Sequence, residues 1–153
     1  MAITEKDFVE EIGLVFEQTG LPRMAGRILG WLMISEPPHQ STEELGAALM
    51  ASKGSISTNT RLLIQIGLIE RLGLPGVRHA YFRLRPNAWR QVINRSQAQL
   101  TLLRQLAETG MELVKNKNPM TQQWLVEMRS MYAFLEKEFP AMLRRWELRG
   151  RKG

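Results

Sequence analysis

Cysteine is absent from the sequence. Its absence excludes disulfides, thiolate metal sites and a cysteine nucleophile, and it fits a reducing cytosol. No apolar run approaches the roughly 20 residues of a membrane-spanning helix. The opening residues, M-A-I-T-E-K-D, lack the basic head and apolar block of a secretory signal. The expectation is a cytoplasmic protein with no membrane association. Histidine is nearly absent too: His39 and His79 fall in separate loops without a ligand cluster, so no metal site is expected. No nucleophile, base and orienting acid are signalled together, and there is no glycine-rich phosphate loop. Neither an enzyme nor a cofactor is expected. Internal repeats and low-complexity segments are also missing.

One further absence is local. From Ser52 to Gly67 the chain reads S-K-G-S-I-S-T-N-T-R-L-L-I-Q-I-G, without a carboxylate. A helix made only for water usually mixes both signs of charge, whereas one made for a phosphate-lined groove should exclude acids. Ile56, Leu63 and Ile66, with Leu62 and Ile64 flanking, gather toward one side. Gly54, Thr58, Arg61 and Gln65 take the other, and Lys53, Ser55, Ser57 and Asn59 fill the first turns. This pattern predicts a recognition helix for double-stranded DNA. Arg61 and Asn59 are the candidates for base edges, because guanidinium and amide groups make bidentate contacts. Ser52, Ser55, Ser57 and Thr58 suit phosphate oxygens, which position a helix without specifying sequence. Lys53 is expected to contribute charge evenly across sequences.

What is present supports that reading. Of 153 residues, 21 are Lys or Arg against 15 Asp or Glu, a formal charge of +6 that favours a polyanionic partner. A hydrophobic fraction of 44% is enough for a real core. Phe8, Ile12, Val15 and Phe16 define a first helix that Gly20 ends, and Pro22 opens a second helix that is apolar over most of its circumference. Ala25, Gly26 and Gly30 there permit close helix approach. Glu36-Pro37-Pro38 is a turn, and Ser41-Thr42-Glu43-Glu44 is a capping box for a short helix burying Leu45, Ala48 and Leu49. A brief turn at Met50-Ala51 then joins it to the Ser52 helix, as in helix-turn-helix units.

After Gly67 the period changes. Residues 68–74 and 80–84 alternate loosely around Pro75-Gly76, which predicts a hairpin, the wing of a winged helix, with Arg78 and His79 at its tip. Two long helices follow, one from Pro86 to Leu113 and one from Asn118-Pro119 onward, where Pro140 is expected to kink or end the regular part. Their apolar stripes exceed what a small winged-helix core can cover, so a second subunit is expected against them. Met111, Met120, Met128, Met131, Met142, Trp124 and Trp146 fit core, dimer seam or the lining of an effector pocket. The tail with Arg144, Arg145, Arg149, Arg151 and Lys152 is expected to fray.

The segment from Ser41 to Arg71, the wing segment L-P-G-V-R-H-A-Y-F-R-L and the order of elements resemble the MarR-type winged-helix transcriptional regulators. The opening G-L-P-R-M-A-G-R-I-L-G-W-L is similar to their GbsR-like branch. The resemblance implies a mainly α fold with a small β-hairpin: a winged helix-turn-helix with long N- and C-terminal dimerisation helices. Residues 22–85 would form the DNA-binding domain, and 1–21 with 86–153 the helical dimerisation region. It further implies a homodimer acting as a repressor on a pseudo-palindromic operator, with an apolar or aromatic small effector between wing domain and dimer helices. Ser52, Lys53, Ser55, Ser57, Thr58, Asn59 and Arg61 fall on the DNA-facing helix of the family pattern, and Arg78 on the wing tip. The wing here is short, and Val77 and His79 stand where many relatives carry more charge. The competing reading is a winged-helix module that binds protein and not DNA.

Overall fold

Thr4 opens the first helix by a reciprocal exchange with Asp7. The Thr4 hydroxyl accepts from the Asp7 N–H at 3.1 Å, and the Asp7 carboxylate accepts from the Thr4 N–H at 3.1 Å. The Thr4 hydroxyl, donating to the Asp7 carboxylate at 2.6 Å, and then the Thr4 N–H hold the Asp7 carboxyl below its ordinary value. A computed structural model describes residues 2–150 of the chain, so Arg151 and Lys152 lie outside the described residues. It contains α1 (Glu5–Gln18), α2 (Arg23–Ile34), β1 (Gln40–Ser41), α3 (Thr42–Leu49), α4 (Lys53–Gln65), β2 (Ile69–Leu72), β3 (Tyr81–Leu84), α5 (Ala88–Leu113) and α6 (Pro119–Gly150). This is a mainly helical, winged-helix architecture. The chain divides into two compact units, one up to Gln91 and one from Val92.

In the first unit, α1 and α2 approach backbone to backbone because glycine faces glycine. A Cβ built on Gly26 would stand 2.8 Å from the Gly13 Cα, too close for any side chain. Ile28, Leu29 and Leu32 of α2 meet Leu45, Ile56, Leu63, Leu68 and Ile69, all fully buried, to make the core. α1 thus packs on α2 of the winged helix. Ala48 is exposed, so α3 buries only Leu45 and Leu49.

The expected hairpin is part of a three-stranded antiparallel sheet in the order β1-β3-β2. Its edge strand β1 pairs Gln40 with Phe82 and Ser41 with Tyr81. Ser41 then caps α3, accepting from the Glu44 N–H at 3.1 Å while its own N–H donates to the Glu44 carboxylate at 3.0 Å.

The second unit is built from α5 beyond Gln91 and from α6. Ala107 of α5 is completely buried, and Gly110 leaves room for Leu125, whose Cδ atoms would lie 3.0 Å from an added Cβ. Glu136 of α6 accepts from the Thr101 hydroxyl at 2.9 Å and from Arg104. These bonds, Arg104 first, hold the Glu136 carboxyl below its ordinary value and push the Arg104 guanidinium up. Asn118 caps α6 through the Met120 N–H. The helix continues through Pro140 to Gly150, so the proline does not end it.

Candidate nucleic-acid interface

Ser52 sets where the interface helix begins. Its hydroxyl accepts from the Ser55 N–H at 3.1 Å, an N-cap that turns the first free N–H groups of α4 outward from a carboxylate-free turn. The preceding turn places Met50 in the left-handed region at φ 51, and the Arg27 guanidinium donates to the Leu49 carbonyl just before it at 3.0 Å.

Along α4, Ile56 and Leu63 point into the core, while Ser52, Lys53, Gly54, Thr58, Arg61 and Gln65 are exposed. Ser55 and Ser57 are half-buried at the margin. A Cβ built on Gly54 would meet nothing within 4 Å, so the fold of the chain does not require glycine there.

Asn59 departs from expectation. It is 8% exposed, and its side-chain amide donates to the Ser55 carbonyl at 2.8 Å. Residues 56, 59, 60 and 63 form one stripe at helical spacing, so the amide sits on the core side and spends its donor one turn back. The Asn59 amide is thus engaged within α4. Thr60 behaves alike, donating to the Ile56 carbonyl at 2.8 Å.

The wing tip carries Arg78 and His79, both exposed. Leu74 to Val77 form a tight turn with the Val77 N–H on the Leu74 carbonyl at 3.2 Å, and Gly76 supplies the φ of +76 that its third position demands. His79 shares a hydrogen bond of 3.2 Å with the Tyr81 hydroxyl, which ties the tip to β3. Among the described residues no cluster able to hold a metal ion is present.

Two other arginines are neutralised. Arg23 donates to Glu17 at 3.0 Å and Arg27 to Glu10 at 2.7 Å, so α2 spends these cations on α1. Arg71 of β2 was missed by the sequence reading. It is exposed, and its guanidinium lies 5.7 Å from the centre of the Phe82 ring. The signal that finds it is strand alternation, since Arg71 and Phe82 are cross-strand partners.

Residues 87–149 match the MmpR5-like MarR family transcriptional regulators. Over 143 residues the chain is 44% identical to the HTH-type transcriptional regulator MmpR5 of Mycobacterium tuberculosis, covering 94% of this chain and 87% of the relative. The chain belongs to the MarR family of transcriptional regulators. A crystal structure of a transcriptional regulator with 43% sequence identity superimposes with a TM-score of 0.76, covering 94% of this chain and 98% of that one. Among the described residues no helix is long and apolar enough to cross a membrane.

Proposed function

We propose that the protein is a homodimeric, cytoplasmic repressor that reads a pseudo-palindromic operator in double-stranded DNA. Residues 22–85 act as the DNA-binding domain, and 1–21 with 86–153 as the dimerisation region. The observation that carries the reading is the exposed side of α4: Lys53, Thr58 and Arg61 reach solvent there with no carboxylate among them. In this reading α4 enters the major groove, Arg61 meets base edges, and Ser52, Lys53, Ser55, Ser57 and Thr58 meet phosphates. Arg78 at the wing tip reaches the adjoining minor groove or backbone.

The dimer is supported by what α5 and α6 leave uncovered. Trp124 is 71% exposed and Trp146 65%, and Leu106, Met131 and Phe134 are exposed with them. Apolar area of that extent favours burial against a second copy. Met111 and Met128 are half-buried, whereas Met120, Met131 and Met142 are exposed, a set able to accept an apolar or aromatic effector. Such a ligand would repress or release binding by preferring one spacing of the two recognition helices. Within the family, the match over residues 87–149 speaks for MmpR5-like regulators; a GbsR-like affiliation has only the opening segment behind it.

The test is selection of genomic fragments by the purified protein, followed by binding to the selected duplex across a salt series. The expected result is an enriched inverted repeat with half-sites about one helical turn apart, roughly 34 Å, and affinity that falls steeply with salt. No duplex binding at low salt would favour a protein-binding module instead.

A further inference from the structure

We infer that the notch between α4 and the wing seats a backbone phosphate of the duplex, gripped by Arg71 beside the base-reading Arg61, and that Arg71 fixes the register of the interface. The inference rests on the duplex-binding reading above. Thr42, Ser57 and Arg61 wall the notch on one side, and Arg71 with Phe82 on the other. No carboxylate lines it. Its volume is about 370 Å³, against ~30 Å³ for a water molecule, which is room for a sugar–phosphate segment.

Three observations converge on that occupant. The first is groove geometry. The major and minor grooves of B-form DNA, about 12 Å and 6 Å wide, are separated by one sugar–phosphate strand. A helix in one groove and a hairpin at the next must straddle that strand, and the gap between α4 and the sheet is where it passes. The second is charge. Arg83, on the neighbouring strand, is neutralised by Glu70 at 2.8 Å, and the arginines Arg23 and Arg27 of α2 are paired with α1. Among the described residues no such acid partners Arg61 or Arg71, so two cations face one gap uncompensated. The third is placement. The Arg71 guanidinium carbon lies over the Phe82 ring, 5.7 Å from its centre. A ring contact restrains the cation at the notch without consuming its N–H donors, which stay available to a phosphate. Ser57, half-buried beside Arg61, offers a third donor.

The experiment is fluorescence anisotropy on the full chain with two labelled duplexes, one selected and one of mixed sequence, each over a range of salt. Arg71→Ala is expected to weaken both by the same factor, roughly tenfold, leaving their ratio unchanged. It should also lower the slope of log affinity against log salt by about one. Arg71→Lys should keep the slope. As an independent arm, duplexes carrying one uncharged methylphosphonate between the two groove contacts should bind the wild type less well and Arg71→Ala no worse than its normal duplex. The inference is overturned if Arg71→Ala, melting as the wild type does, leaves affinity and slope untouched, or if no single methylphosphonate weakens the wild type. Absence of wild-type binding to any duplex would instead sink the duplex-binding reading, and this inference with it.

Discussion

Arg27 of α2 reaches two neighbours at once: it donates to the Glu10 carboxylate of α1 at 2.7 Å and to the Leu49 carbonyl of α3 at 3.0 Å. A single part-buried guanidinium therefore ties the N-terminal helix to the end of α3, immediately before the turn that launches α4. Removing it leaves a helix-terminal carbonyl and a carboxylate without their donor. Arg27→Met, which keeps most of the apolar stem, is expected to lower stability by about 1–3 kcal/mol. Urea unfolding followed by circular dichroism measures it, and an unshifted midpoint would refute the role.

Glycine-to-alanine changes at two helical positions should act with opposite signs. Gly54→Ala adds a methyl group to open space and relieves the entropic cost of glycine, so stability rises by up to about 1 kcal/mol. The same methyl group obstructs backbone approach to a phosphate, so duplex affinity falls. Gly26→Ala drives a Cβ toward the Gly13 backbone and should cost roughly 1–3 kcal/mol. Paired melting and anisotropy curves separate the two effects.

Arg61 and Lys53 are both exposed on α4 but are predicted to fail differently. Arg61→Ala should flatten preference at one operator position, by about 1–3 kcal/mol of discrimination. Lys53→Ala should weaken every duplex alike and reduce the salt slope by about one. Competition between selected and mixed-sequence duplexes distinguishes them. Undiminished preference in Arg61→Ala would remove that residue from base reading.

Acid should loosen the α5–α6 pairing through Glu136. Hydrogen bonds from Arg104 and Thr101 depress its carboxyl in the folded chain, whereas the unfolded chain titrates near the ordinary value of about 4.3. The stabilisation is therefore complete above that value and is lost as pH falls through the lower, folded one. Glu136→Gln should be less stable than wild type at neutral pH and approach it in acid. Denaturant midpoints from pH 7 to pH 3 give the comparison; a constant gap between the two proteins would exclude the coupling.

Local chemistry made much of this fold legible. Ser41 with Glu44, Gly20 after α1, Pro22 before α2 and Asn118-Pro119 before α6 all act within a few residues of themselves, and the helix ends fall within a residue or so of them. Features set by distant partners were harder to read. The strand β1 is two residues long and exists only because β3 lies beside it. Asn59 carries a polar side chain on a core-side position, where composition and periodicity disagree and periodicity prevails. Arg71 became visible only when the ladder placed it opposite Phe82. Pro140 removes one backbone donor, yet residues on both sides keep helical spacing and α6 continues.

Ser41 closes the last rung of a strand with its backbone while its side chain starts a helix. No residue separates strand from helix there, so bending at that junction would break either the strand pairing or the helix cap. Any displacement of β3 at Tyr81 would therefore be passed directly to the first turn of α3.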